Sequence, residues 1–236
     1  VQARVDALFQ RFGQSLTDAE GTWMIQTAVL AYQAGVLGDL VGSLQSMTTG
    51  PQARMWAAGL AVALWWSGDE QGAAEVLDRP DDLPRNYFWL AVQQALAEVA
   101  VGLGRHDHCR TIFDDLLPFR GLVSVTGGGS SCFGLVSRSL GVLALELGEV
   151  DRAIDFLVEA VDQADRIGAH FDGVSARRSL AAALHRAGRL PPAVAAALAA
   201  LGLALVVAGQ MSAAVLMDHF GAFGLTQHSV SVSRLL

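Results

Sequence analysis

The run His106-Asp107-His108-Cys109 is the densest group of potential metal ligands in this sequence of 236 residues. Imidazole nitrogens, carboxylates and thiolates all bind zinc. Successive residues of a helix point about 100° apart, so these four side chains cannot all face one ion. His106 and Cys109 could share a face, but a zinc site needs further ligands within reach. We therefore expect a solvated helix start here and predict no metal site.

The spacing of the polar residues gives little support for acid–base or nucleophilic catalysis. Several carboxylates occur in pairs along the chain: Asp69 and Glu70, Asp81 and Asp82, Asp114 and Asp115, and Glu146 and Glu149. Adjacent carboxylates splay apart on a helix, which places them poorly for a shared proton transfer. No serine lies in a Gly-x-Ser-x-Gly elbow, and the chain has no lysine for a phosphate loop or a Schiff base. We therefore predict that the chain is not an enzyme and holds no cofactor.

Three consecutive glycines at positions 127–129 precede Ser130 and Ser131. The backbone N–H groups of such a loop can bind an anion at the start of a helix. Here no lysine accompanies the glycines, and no strand is expected before them. The segment is therefore predicted to be a connector that ends in a serine helix cap.

The composition predicts a folded, helical protein. Apolar residues make up 52% of the chain and charged residues 17%, which is the opposite of the balance in disordered chains. Alanine and leucine, both strong helix formers, are the dominant residues. The net charge of −7 is spread along the chain, and the basic residues, all arginine, form no stripe. This distribution argues against direct contact with nucleic acid.

The cysteines and the N-terminal residues help to predict the cellular compartment of the protein. Cys109 and Cys132 lack metal-binding or redox spacing and are expected to be buried thiols. The chain opens at Val1 without a charged region before an apolar run, so no signal peptide is predicted. Together these features predict a cytoplasmic piece of a longer protein.

Glycines follow apolar helical runs at nearly regular positions: Gly35, Gly68, Gly104, Gly148 and Gly188. Their separations of 33, 36, 44 and 40 residues are typical of helix-hairpin repeats. Glycine can take the left-handed conformation that ends a helix, and the Asp or Pro behind it suits the next helix. The sequence therefore predicts an all-α fold, a right-handed superhelix of stacked antiparallel hairpins of tetratricopeptide type with about eleven or twelve helices.

The individual helices are predicted at 2–13, 18–34, 37–47, 52–67, 70–78, 86–103, 107–117, 130–147, 150–167, 170–187, 191–208 and 211–222. Irregular segments are predicted at 79–85 and 118–129. The helices are assigned to a single domain, 1–225, followed by a C-terminal tail, 226–236.

A more specific pattern lies between Leu103 and Ala187. Its parts are Leu116-Leu117-Pro118-Phe119, the triple glycine, Cys132-Phe133-Gly134, Leu140-Gly141-Val142-Leu143-Ala144 and Ala164-Asp165-Arg166-Ile167-Gly168-Ala169. These residues resemble the helical region of large bacterial ATP-binding regulators of the LuxR family, MalT-like, and of related cyclase-linked ATPases. In that family a nucleotide-binding module precedes the helical region and a DNA-binding module follows it, and neither motif occurs here. The resemblance implies the sensor or adaptor arm of a transcriptional or signalling regulator.

The segment from Leu190 to Met217 has no charged residue over 28 positions, which is long enough for a membrane helix. Alanine and glycine outnumber the strongly lipophilic residues, and Pro191 and Pro192 interrupt the start. We therefore predict two closely packed, buried helices and no membrane contact. A dimer interface and membrane contact are the alternatives.

Tetratricopeptide geometry places the first helix of each hairpin on the concave surface. Aromatic and arginine side chains most often anchor binding. The predicted groove for a ligand or partner is accordingly lined by Tyr32, Trp65, Trp66, Gln94, Glu98, Arg138, Arg178 and His185. For Trp65 and Trp66, ordinary core packing is an equal alternative.

These observations predict a non-catalytic binding module. Its partner would be a protein or peptide, another domain of the same regulator, or a small-molecule effector. The alternative is a scaffold that forms homodimers through its apolar C-terminal helices, and an enzyme without a sequence motif is the third hypothesis.

Overall fold

The computed structural model describes residues 19–49, 53–79, 85–126 and 131–191, and this part of the chain is mostly helical, as predicted. Its nine α-helices are α1 Ala19–Gln33, α2 Val41–Met47, α3 Ala53–Ser67, α4 Glu70–Leu77, α5 Trp89–Gly102, α6 His106–Leu116, α7 Val136–Glu146, α8 Val150–Ile167 and α9 His170–Arg186. Short 3-10 helices lie at Leu37–Leu40 and Leu117–Phe119. The two strands are β1 Val123–Thr126 and β2 Ser131–Leu135.

Several predicted elements lie outside the described residues. They are the helix at 2–13, the helix at 191–208 beyond its first residue, the helix at 211–222 and the tail at 226–236. The predicted helices between these ends match the observed ones to within a few residues, except around the two strands.

Glycine turns join consecutive helices into hairpins. Gly148 follows α7 with a φ of +77°, a left-handed conformation that glycine adopts without strain. The N–H of Glu149 then donates to the carbonyl of Ala144 at 2.8 Å, which satisfies a carbonyl that the helix end would otherwise leave unpaired. The other predicted turn glycines also have positive φ: Gly35, Gly68, Gly104 and Gly188.

Small residues let α7 and α8 pack closely. A Cβ atom at Gly141 would lie 2.5 Å from Leu157 Cγ, so a larger residue there would force the two helices apart. Leu157, Ala153 and Ala160 of α8 are all fully buried. Helix α8 packs on α7 and α9, and α5 contacts both α3 and α7. Side chains from Ile25 in α1 to Ala183 in α9 therefore belong to one continuous apolar core.

The prediction of an irregular segment at 118–129 and a helix from residue 130 was wrong. Strands β1 and β2 pair antiparallel, with Val123 opposite Leu135 and a bulge after Ser124, and α7 begins only at Val136. The residues of β1 alternate valine with serine and threonine, which favours a strand with one buried face. Ser131 is the first residue of β2 and not a helix cap.

The two-stranded sheet lies beside helices that surround a cavity described below. Strand β2 contacts α1, α7 and α8, and β1 contacts α5. Phe133 and Cys132 in β2 are exposed, so the prediction that both cysteines are buried holds for Cys109 and is wrong for Cys132.

Candidate ligand-binding cleft

Five helices, α1, α3, α5, α7 and α9, surround a cleft of about 470 Å³. Successive turns of one helix face supply its lining, as with Gln94 and Glu98 on α5 or Phe171, Ser175 and Arg178 on α9. A smaller cavity of about 150 Å³ is bounded by β2 and shares many of the same side chains. The two cavities thus form one site, which we call the cleft.

An aromatic wall in the cleft is held together by Glu98. The Tyr32 hydroxyl donates to Glu98 Oε2 at 2.6 Å, and Trp66 Nε1 donates to Glu98 Oε1 at 3.1 Å. The Tyr32 and Trp66 rings stack with their centroids 5.0 Å apart, and Phe171 meets Tyr32 edge-on at 6.3 Å. Because both carboxylate oxygens accept a hydrogen bond, Glu98 fixes the orientation of the two rings.

The Tyr32 hydroxyl stays a donor over a wide pH range. Burial, together with the negative charge of Glu98, raises the pKa of Tyr32 well above its ordinary value of 10.0, while Arg138 lowers it by less. The hydroxyl of Tyr32 therefore stays protonated and remains the donor to Glu98.

Trp65 lies against the backbone of α5. A Cβ atom at Gly102 would come within 2.3 Å of the Trp65 indole, so glycine at this position makes room for the ring. Trp65 and Trp66 also pack on the apolar core. Both tryptophans therefore combine the two roles that the sequence presents as alternatives, core packing and lining of the cleft.

The polar side of the cleft is formed by Gln94, Arg138 and Ser139. Gln94 Nε2 donates to Ser139 Oγ at 3.3 Å. Gln94 Oε1 and Arg138 Nε are buried, yet neither has a hydrogen-bond partner in the described part of the chain. Arg138 and Arg178, which is exposed at the cleft, form no ion pair with any described residue. An unpaired buried acceptor and an unpaired buried donor thus lie on the same side of the cleft.

Asp172 lies where β2 approaches α9. Gly134 has a φ of +96°, and a Cβ atom there would lie 2.7 Å from Asp172 Oδ1. Glycine is therefore required twice over, for the backbone conformation and for the close approach. Burial raises the pKa of Asp172, and the positive charge of Arg138 offsets part of this effect.

The structure brings together seven of the eight residues predicted to line a groove: Tyr32, Trp65, Trp66, Gln94, Glu98, Arg138 and Arg178. His185 does not join them. It is exposed, and its Nδ1 lies 3.1 Å from the carbonyl oxygen of Leu190, just after the end of α9.

Sequence reasoning missed Phe171, Asp172 and Ser139. A usable signal existed for Phe171, because it precedes Ser175 by four residues and Arg178 by seven, which places all three on one helical face. No comparable signal marks Asp172, since its position depends on a strand that was not predicted.

The run from His106 to Cys109 opens α6, where its side chains diverge. His106 Nε2 lies 3.1 Å from Glu146 Oε1, whereas His108 Nε2 lies 3.4 Å from Asp78 Oδ1. Burial raises the pKa of the Cys109 thiol to about 11, which disfavours the thiolate that a metal would need. Within the ranges that the structure describes, no group of three or more His, Cys, Asp or Glu side chains could hold a metal ion.

None of the helices described between residues 19 and 191 is both long enough and apolar enough to cross a membrane.

One family model matches the chain, over residues 192–236, and its description is "Putative inner membrane exporter, YdcZ". No curated protein and no solved structure matches. The matched residues all lie outside the part of the chain that the structure describes.

This match corrects the interpretation drawn from the resemblance to LuxR-family, MalT-like regulators. Residues 192–236 are similar to an exporter family and not to the regulators, so the prediction of a sensor or adaptor arm in a transcriptional regulator was wrong. The prediction of its partners was wrong for the same reason: a protein or peptide, other domains of the regulator, or a small-molecule effector of it. The alternative of a homodimeric scaffold was wrong as well.

The predictions of a cytoplasmic location and of no membrane contact were also wrong. The prediction of no membrane contact depended on interpreting the uncharged stretch from Leu190 to Met217 as two buried helices. The high alanine content of this stretch favours buried helices, but its 28 uncharged residues satisfy the length of a membrane segment equally well.

Proposed function

We propose that this chain is a membrane-associated binding protein that takes part in the export of a small organic molecule. The helical region in front of residue 192 would hold the molecule in the cleft, and the segment 192–236 would engage the inner membrane. The single observation that carries this proposal is the match of residues 192–236 to an inner membrane exporter family.

The composition of the matched segment supports the membrane part of the proposal. Asp218 and Arg234 are its only charged residues, and the uncharged stretch that ends at Met217 exceeds the roughly 20 residues needed to cross a bilayer. The transfer of such a stretch from water into lipid is favourable.

The geometry of the cleft supports a small molecule as the bound species. Its volume of about 470 Å³ lies in the range of small-molecule sites. Apolar aromatic walls combined with a few fixed polar groups are the usual composition of such sites. Both oxygens of Glu98 are already engaged by Tyr32 and Trp66, so this carboxylate is poorly placed to act as a general base.

We further propose that the hairpins stack as a tetratricopeptide-like superhelix, with the cleft on its concave side. The support is that the lining comes from α1, α3, α5, α7 and α9, which are every second helix of the described part of the chain. Small-angle X-ray scattering of the detergent-solubilised chain tests this proposal. A curved, elongated envelope for the helical region is expected, and a spherical one contradicts it.

Membrane association is tested by fractionation of bacterial cells that express the full chain. We expect the protein in the membrane pellet after a sodium carbonate wash. The double variant Leu203→Glu/Leu205→Glu should move to the soluble fraction, because two charges in the apolar segment oppose insertion.

The matched control is Leu30→Glu/Val158→Glu, which adds the same charge at two exposed positions of the helical region. It should remain in the membrane pellet with the unmodified chain. Recovery of the unmodified chain in the soluble fraction would contradict the proposal.

A further inference from the structure

The cleft contains two polar atoms whose pairing requirements are opposite. Arg138 Nε carries a hydrogen and can only donate, whereas Gln94 Oε1 can only accept. Both atoms are buried and lack a partner in the described part of the chain. A buried polar group without a partner costs free energy, so these two atoms favour any ligand that satisfies both.

The two atoms lie on the same side of the cleft. Gln94 Nε2 donates to Ser139 Oγ, and Ser139 is the neighbour of Arg138 on α7. Gln94, Arg138 and Ser139 line both the larger and the smaller cavity, so they lie where the two cavities meet. One edge of a single ligand could therefore reach both atoms.

The charges around the cleft balance. Two arginines, Arg138 and Arg178, and two carboxyl groups, Glu98 and Asp172, line the two cavities. A ligand with a net charge would upset this balance in a partly desolvated site, which costs free energy. A neutral ligand avoids that cost.

The remaining walls favour a flat ring. Tyr32 and Trp66 stack on each other, Phe171 stands edge-on to Tyr32, and Trp65 presents its indole over Gly102. Stacked and edge-to-face contacts between aromatic rings are stabilising, in addition to the stabilisation that comes from burying their apolar area.

We propose that the cleft binds a neutral, planar aromatic molecule whose edge carries a carbonyl oxygen next to an N–H group, as in a lactam. The carbonyl accepts from Arg138 Nε, the N–H donates to Gln94 Oε1, and the ring lies among Tyr32, Trp65 and Phe171. This inference rests on the proposed function and specifies the class of molecule.

The test is isothermal titration calorimetry of the full chain in mild detergent with four probes. 2-Quinolinone has both groups of the lactam edge, 1-methyl-2-quinolinone lacks the N–H, naphthalene-2-carboxylate is charged, and quinoline lacks the lactam. We expect 2-quinolinone to bind at least about tenfold more tightly than each of the other three, because each leaves a buried group unpaired or adds a charge.

Two variants assign the binding to the predicted atoms. Arg138→Met should weaken the binding of 2-quinolinone about tenfold or more. Arg177→Met is the matched control, since Arg177 is on the same helix as Arg178 but pairs with Asp165 at 2.6 Å outside the cleft, and it should bind as the unmodified chain does. Circular dichroism checks that both variants keep their helical content.

The outcomes separate the ligand class from the broader function. Equal affinity for 2-quinolinone and its N-methyl derivative, or tighter binding of the carboxylate, overturns the proposed class while leaving a small-molecule cleft in place. Failure of all four probes to bind overturns the proposed class as well. Membrane association is measured separately by fractionation and does not depend on any of these results.

Discussion

The outer surface and the cleft of the helical region use charge in different ways. On the outside, arginines pair with acids from neighbouring hairpins, as Arg105 does with Asp78 at 2.5 Å and Arg189 with Asp151 at 2.8 Å. In the cleft, Arg138 forms no ion pair with a described residue, and Glu98 is held by the uncharged donors Tyr32 and Trp66.

The contrast indicates what each surface is for. Exposed ion pairs contribute little free energy but keep the charges of neighbouring hairpins compensated. A buried charged group without an ionic partner, such as Arg138, keeps hydrogen-bonding capacity for a further molecule. We therefore expect substitutions in the cleft to have much larger effects than equivalent substitutions on the outside.

The largest effect is expected for Glu98→Ala. It leaves the Tyr32 hydroxyl and the Trp66 N–H without their acceptor in a partly buried site, which should lower the free energy of unfolding by about 3 kcal/mol. Tryptophan fluorescence during urea unfolding measures it, because all five tryptophans precede residue 90 and report on the helical region. A change below about 0.5 kcal/mol would show that the aromatic wall does not depend on Glu98.

A smaller effect is expected for Tyr32→Phe, about 1.5 kcal/mol near neutral pH, since one hydrogen bond to a charged group is lost. The pKa of Tyr32 is raised on folding, so the unfolded chain releases this proton first and the stabilisation is lost as the pH rises above 10.0. The variant should therefore lose less stability than the unmodified chain between neutral and strongly alkaline pH. Tyr87→Phe, at an exposed tyrosine, is the control and should follow the unmodified profile.

Asp172→Asn should change stability in the opposite direction. Burial raises the pKa of Asp172 above its ordinary value of 3.8, so an ionised Asp172 destabilises the fold at neutral pH. The amide removes that cost, and the variant should melt at a higher temperature than the unmodified chain at pH 7. The gain should shrink as the pH falls towards 3.8 and both proteins become uncharged at this position. A lower melting temperature at pH 7 would contradict this account of the buried carboxyl.

The smallest effect is expected for Glu159→Ala on the outer surface. It removes the ion pair with Arg120, whose side chain is more than half exposed, and should cost less than about 0.5 kcal/mol. Arg120 keeps its contact over the Phe156 ring at 5.2 Å. Urea unfolding at low and high salt measures the difference. An effect as large as that of Glu98→Ala would remove the distinction between the two surfaces.

Local patterns predicted much of the helical region. Glycines such as Gly148 mark helix ends because few other residues adopt a positive φ, and small residues such as Gly141 mark close helix contacts. Helical spacing then placed side chains such as Glu98 and Arg138 on the face that lines the cleft.

Features that depend on distant contacts were not predictable in the same way. The strands at 123–126 and 131–135 are short, and three glycines lie between them in the sequence. The local sequence pattern therefore gives little indication that the two strands pair. The position of Asp172 in the cleft follows from that pairing. The segment from Leu190 to Met217 illustrates a second difficulty, because an uncharged, alanine-rich stretch has the composition of both a buried helix pair and a membrane segment.

Protease treatment of the full chain reconstituted into phospholipid vesicles tests the central claim most directly. Trypsin cleaves after Arg189 and Arg234 but not between them, since that interval contains no lysine or arginine. After flotation of the vesicles on a density gradient, we expect the fragment 190–234 to float with the lipid and the helical region to remain at the bottom. A fragment 190–234 that stays at the bottom with the helical region would contradict the proposed membrane association.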